Sequence, residues 1–103
     1  MRELALGDVR LNPEDAMLSC TNNGKSVRLA AKEYQLMELF LRNPHQLLPK
    51  ETILELIRGF DNEAEYNNLS VYLTFLRRKL AFVGAHVEIR ASRGLGYMLE
   101  ETP

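Results

Sequence analysis

The spacing of apolar residues changes twice along this chain, and that change restricts the fold more than any single motif does. Residues 1–30 alternate between apolar and polar and are broken by turn formers: Leu4 and Leu6, Gly7-Asp8, Val9 and Leu11, then Asn12-Pro13-Glu14-Asp15. Alternation punctuated in this way predicts short strands. Met17-Leu18-Ser19-Cys20 and Ser26-Val27-Arg28-Leu29 flank Thr21-Asn22-Asn23-Gly24-Lys25, where Asn-Gly would supply the positive backbone angles of a tight hairpin turn. A small antiparallel sheet of about four strands is expected, at ordinary strand lengths.

From Ala31 the period becomes helical. Tyr34, Met37 and Leu41 share a stripe with Phe40 beside it, and Lys32, Glu33, Gln35, Glu38 and Arg42 are expected mostly in water. This amphipathic helix runs to Arg42 and stops at Asn43-Pro44. Leu47-Leu48 reads as a short extended piece, and Pro49-Lys50-Glu51 opens a second helix through Ile53, Leu54 and Ile57 to Gly59. Gly59-Phe60-Asp61-Asn62-Glu63-Ala64-Glu65 reads as an acidic loop. A third helix is predicted from about Tyr66 to Phe82, with Leu69, Leu73, Leu76 and Leu80 as its core face. After Gly84 alternation returns, with Val87, Ile89 and Ala91 opposite Glu88, Arg90 and Ser92. Arg93-Gly94-Leu95-Gly96 then turns into Tyr97-Met98-Leu99 to close a hairpin. With 103 residues, one domain over 1–103 with a single core is expected.

Several function classes are poorly served by these residues. One cysteine, Cys20, has no internal disulfide partner, and with only His45 and His86 it cannot complete a zinc site without several carboxylates. Neither a metal nor another cofactor is expected. His45 and His86 read as surface histidines without an acidic or nucleophilic companion, and the scattered carboxylates form no acid/base pair, so no enzyme is expected. Gly94-Leu95-Gly96 fits neither the dinucleotide nor the Walker spacing, and backbone geometry explains it better. No apolar run approaches the roughly 18 residues of a spanning helix, and the first residues lack the apolar core of a signal peptide. A soluble, cytoplasmic domain without a membrane partner is the expectation.

Charge is uneven. The net charge is −1, but residues 1–65 carry eight Lys/Arg against eleven Asp/Glu, whereas residues 66–98 carry Arg77, Arg78, Lys79, Arg90 and Arg93 against Glu88 alone. Three helices followed by a hairpin, with the last helix and hairpin basic, is the order of a winged helix-turn-helix, in which one helix enters the major groove and the hairpin reaches the neighbouring backbone or minor groove. The fold expected is therefore α+β: a four-stranded antiparallel sheet, three helices and a hairpin wing. Opposite the leucine face lie Asn67, Val71, Thr74 and Arg78, with Phe75 and Phe82 to one side. Arg78 can fork onto guanine, Asn67 can pair with adenine, and Val71, Thr74 and Phe75 can touch thymine methyls. Val71, Phe75 and Phe82 also form an apolar stripe that could meet a protein instead. Periodicity alone leaves double-stranded DNA and a protein partner both open.

Four segments carry a family resemblance. Leu29-Ala-Ala-Lys-Glu-Tyr-Gln-Leu-Met-Glu-Leu-Phe-Leu-Arg-Asn-Pro44, Leu47-Leu-Pro-Lys-Glu-Thr-Ile-Leu54, Asn68-Leu-Ser-Val-Tyr-Leu-Thr-Phe-Leu-Arg-Arg-Lys-Leu80 and Arg93-Gly-Leu-Gly-Tyr97 resemble, in order and over almost the whole chain, the C-terminal effector domain of OmpR/PhoB-type response regulators. The resemblance implies a sequence-specific DNA-binding output domain of a bacterial two-component transcriptional regulator, controlled by a phosphorylated receiver domain and binding direct repeats as a tandem dimer. No receiver is expected within these residues. Carried over by position, Lys50, Arg58, Tyr72 and Arg77 fall where the family contacts phosphates. Thr74, Phe75 and Arg78 lie on the base-facing side, and Arg93 matches the wing arginine of the minor groove. The loop Gly59 to Glu65 resembles the segment presented to RNA polymerase. Four positions depart from the pattern: Thr74 and Phe75 stand where basic residues are frequent, Ala30 replaces the usual capping Thr or Ser, and Arg58 stands where an aromatic is common. The alternative is a protein-interaction module on the same scaffold, with little or no DNA binding.

Overall fold

A computed structural model of the chain describes residues 3–57 and 63–102, and the side chains of all of these but 63–67. Four short strands, β1 (Leu4–Leu6), β2 (Val9–Asn12), β3 (Met17–Cys20) and β4 (Ser26–Arg28), form an antiparallel sheet in sequence order. The register pairs Val9 with Cys20 and Leu11 with Leu18. With side chains alternating across the sheet, all four point to one face, and all four are buried. The β3–β4 connection is not the tight turn that Asn-Gly suggests. Only Gly24 takes a positive φ there (+74°). Asn23 works through its side chain instead: Oδ1 accepts the Lys25 N–H at 2.9 Å and Nδ2 donates to the Val83 carbonyl at 2.9 Å. The loop is thereby pinned to the segment after the third helix.

Helix α1 (Ala31–Arg42) has the expected bounds and buries Leu36, Met37, Phe40 and Leu41. Glu33, expected in water, is buried. Its Oε1 accepts the Ala30 N–H at 2.7 Å and the Lys79 ammonium at 2.6 Å. Ala30 has no side-chain oxygen to cap the helix, so this carboxylate supplies the one capping contact at its start. Helix α2 (Lys50–Leu56) stops short of Gly59. Ile57 is extended (φ −103°, ψ 123°) and buried, because leaving the helix there turns a β-branched residue into the core beside Ile53. Helix α3 (Glu63–Phe82) starts earlier than expected, so Glu63, Ala64 and Glu65 are its first turn and not part of a loop. Ala and Glu favour helix, and carboxylates favour a helix's positive end. Arg58, Gly59, Phe60, Asp61 and Asn62 lie outside the described residues. Leu69, Leu73, Leu76 and Leu80 are buried, as the leucine spacing requires.

Strands β5 (Val87–Ser92) and β6 (Gly96–Glu101) make the C-terminal hairpin. Val87, Ile89 and Leu99 enter the core, whereas Ala91, on the same side of the strand by alternation, is exposed because the hairpin has passed the core's edge by that point. The extended Leu48 pairs with Tyr97 through N–H···O bonds of 2.7 and 2.9 Å. Both histidines have carboxylate companions after all. His86 donates its backbone N–H to Asp8 Oδ1 at 2.9 Å and sets its ring Nδ1 2.8 Å from Oδ2. His45 Nε2 lies 3.3 Å from Glu101 Oε1. These pairs join residues far apart in sequence, which is why local pattern does not show them. Buried Cys20 places Sγ 3.3 Å from the same Asp8 Oδ2.

Candidate nucleic-acid interface

The leucines of α3 fix its rotation, and the opposite face is therefore turned outward. Val71, Thr74, Phe75 and Arg78 are all exposed on it, with Val71 at 44% and Phe75 at 41%. Tyr72 stands edge-on to the Phe75 ring, with centroids 6.4 Å apart and planes at 82°, an arrangement favoured by ring quadrupoles. Thr74 Oγ1 donates to the Ser70 carbonyl at 2.9 Å, within the helix. Phe82, 59% exposed, continues the stripe at the helix end, with Lys25 Nζ 5.9 Å from its ring centre. The side chain of Asn67 lies outside the described residues.

The cations that looked like one basic run have separate duties. Lys79 is drawn inward to Glu33 and also donates to the Arg28 carbonyl at 3.0 Å. Arg77 donates from Nε and Nη2 to the Ile89 carbonyl at 3.0 and 2.9 Å, clipping α3 to β5. The remaining N–H groups of its fork bond to no described residue. Arg90 is held by the hairpin's own carboxylates, with Nε 2.7 Å from Glu100 and Nη2 3.7 Å from Glu88. That placement offsets the repulsion of Glu88 and Glu100, which sit directly opposite each other in the β5–β6 register. Arg78 and Arg93 are exposed and, among the described residues, enter neither an ion pair nor a hydrogen bond.

Arg93 sits at the β5–β6 tip. With Gly94, Leu95 and Gly96 it lines one wall of a groove of about 420 Å³ whose other wall includes Lys50 and Glu51 at the start of α2. The structure thus brings Lys50 and Arg93 to one groove and Val71, Thr74, Phe75 and Arg78 to one helix face. It ties Arg77 to β5. The carboxylate partners that sequence reasoning missed are Glu33 for Lys79 and Glu100 for Arg90, and no local signal marks either, because each comes from a distant segment. The described residues offer a helix face on which, among Val71, Thr74, Phe75 and Arg78, the guanidinium is the one charged group, and a hairpin tip carrying a second guanidinium.

Residues 24–99 match the family model described as transcriptional regulatory protein, C terminal. The transcriptional regulatory protein DltR of Streptococcus agalactiae is 42% identical over 99 residues, which are 96% of this chain and 43% of DltR. The chain therefore spans less than half the length of that relative. The C-terminal domain of the nisin resistance regulator NsrR superposes with a TM-score of 0.80 at 31% identity, covering 98% of this chain and all of that domain. The DNA-binding domain of the response regulator AdeR, solved in complex with an intercistronic region, has a TM-score of 0.81 at 17% identity over 95% of this chain and 99% of its own. At that identity the likeness speaks for the winged-helix fold alone.

Proposed function

We propose, since this chain belongs to the family of transcriptional regulatory protein C-terminal domains, that residues 1–103 form one DNA-binding output domain of a two-component transcriptional regulator, reading double-stranded DNA by sequence. The observation that carries this reading is the pair of uncommitted guanidinium groups, Arg78 on the outward face of α3 and Arg93 at the hairpin tip. A helix is the width of a major groove, and a β-hairpin beside it can reach the adjacent minor groove. In this reading Lys50, Tyr72 and Arg77 position the domain on phosphates, as does Arg58. The face carrying Asn67, Val71, Thr74, Phe75 and Arg78 meets base edges, and Arg93 enters the narrow groove. The step performed is binding, without chemistry.

Control by a receiver domain and binding as a tandem dimer belong to the same proposal. They rest on the family and on the length of relatives such as DltR beyond the matched part. Contact of Gly59 to Glu65 with RNA polymerase is likewise a proposal, supported by the resemblance of that segment. No described helix is long and apolar enough to cross a membrane.

Two measurements test the reading. Arg78→Ala should weaken binding to a selected duplex by about 1–3 kcal/mol, with a smaller loss on random duplex, if the guanidinium forks onto a guanine. Equal losses on both would make it a phosphate contact. A salt titration separates DNA from the protein partner that the exposed Val71, Phe75 and Phe82 could serve. Affinity for duplex should fall steeply with salt, whereas an apolar protein interface should change little.

A further inference from the structure

We infer that α3 reads its site chiefly through C5-methyl groups: Val71, Thr74 and Phe75 recognise methyls in the major groove, one turn from a guanine held by Arg78. This deepens the DNA-binding reading and rests on it. Thr74 has its hydroxyl turned back to the Ser70 carbonyl, which leaves its methyl as the group free to face outward. Phe75 is exposed, yet its ring is steadied edge-on by Tyr72. Val71 adds two methyls one turn earlier, and among Val71, Thr74, Phe75 and Arg78 the guanidinium is the sole charged group. The stretch formed by Val71, Thr74 and Phe75 offers too few hydrogen-bonding groups to satisfy the donors and acceptors of most base edges, and burying those against Phe75 would leave them unpaired.

The one apolar feature a base pair shows in the major groove is the C5-methyl of thymine, which 5-methylcytosine shares. Spacing gives the pattern. Val71 and Phe75 are about 6 Å apart along the helix axis at about 1.5 Å per residue, close to two base steps of about 3.4 Å. Arg78 lies about 4.5 Å further on by the same rise. The site should therefore hold two methyl-bearing pyrimidines about two steps apart, followed one or two steps later by a guanine. Arg78 interrupts the apolar stripe between Phe75 and Phe82, and none of the stripe's members is acidic, which favours a polyanion over an apolar protein surface.

The experiment begins with selection of bound duplexes from a random library by the unaltered chain. In the enriched sequence each thymine is then replaced singly by deoxyuridine, which removes the methyl and nothing else. Two positions should each lose about fourfold in affinity, the effect of burying one methyl-sized group. Phe75→Ala should abolish the thymine–uracil difference at one of them and Val71→Ala at the other. Replacing a sensitive thymine pair by cytosine should weaken binding, and 5-methylcytosine should restore part of it if the methyl itself is read. Affinities within twofold at every uracil position, with Arg78→Ala still damaging, would overturn the methyl readout and leave DNA binding standing. No enrichment at any salt concentration, the result expected of a protein-binding face, would overturn the DNA reading underneath it.

Discussion

Gly96 stands where the hairpin crosses the Leu48–Pro49 backbone, at φ +149°. A Cβ there would overlap the Leu48 carbonyl and the Pro49 Cα, and backbone cannot rotate away as a flexible side chain can. Gly96→Ala should destabilise the fold by about 1–3 kcal/mol, as overpacking does, read as a lower urea midpoint; Gly94→Ala, with nothing within 4 Å of its added methyl, isolates the cost of the backbone angle. Asp8 gives a residue-scale prediction in pH. Burial pushes its carboxyl up, but hydrogen bonds from the His86 backbone and ring and from Cys20, with the His86 charge, together hold it below its usual 3.8. A carboxyl whose folded value is depressed contributes stability above its unfolded value, and that contribution is lost as pH falls through the folded one. Asp8→Asn should flatten the acid side of a stability–pH curve below about pH 4 while lowering stability at neutral pH by about 1–2 kcal/mol.

Among elements, the join between α1 and α3 depends on Glu33 more than its place on a charged helix face suggests. It caps α1 and pairs with Lys79, so Glu33→Gln should cost about 2 kcal/mol, from a lost charge-assisted bond and an ammonium left without its counter-charge. Thermal unfolding measures this. In the hairpin, Arg90 stands between Glu88 and Glu100. Arg90→Ala should therefore weaken the β5–β6 pairing by about 0.5–1 kcal/mol. It should leave the salt dependence of duplex binding almost unchanged, since this arginine answers the protein's own charges. A steep loss of that dependence would place Arg90 among the phosphate contacts.

For the molecule as a whole, a net charge of −1 means that affinity for a duplex must come from how cations are distributed. Lys79 and Arg90 are spent on internal carboxylates, which leaves Arg78 and Arg93 uncommitted and Lys50 beside Arg93 at one groove. Arg93→Ala should reduce the slope of log affinity against log salt by about 0.9 if it neutralises one phosphate. Measuring both slopes at several salt concentrations, on selected and random duplexes, tests the wing's role independently of the base-reading face.

Element types, their order, the leucine core of α3 and the turn at the hairpin tip follow from residue spacing, because strand and helix periods are local properties of the chain. Spacing also places Val71, Thr74, Phe75 and Arg78 opposite the leucines. What tertiary structure decided is which charges stay free. Whether a lysine or arginine faces water depends on carboxylates and carbonyls brought to it from distant segments, as Glu33 is to Lys79 and Ile89 to Arg77. Asp8 reaching His86, Ile57 leaving its helix for the core and Gly96 fitting under Leu48 have the same origin. Each is a contact between residues that local periodicity treats separately, and packing alone selects it.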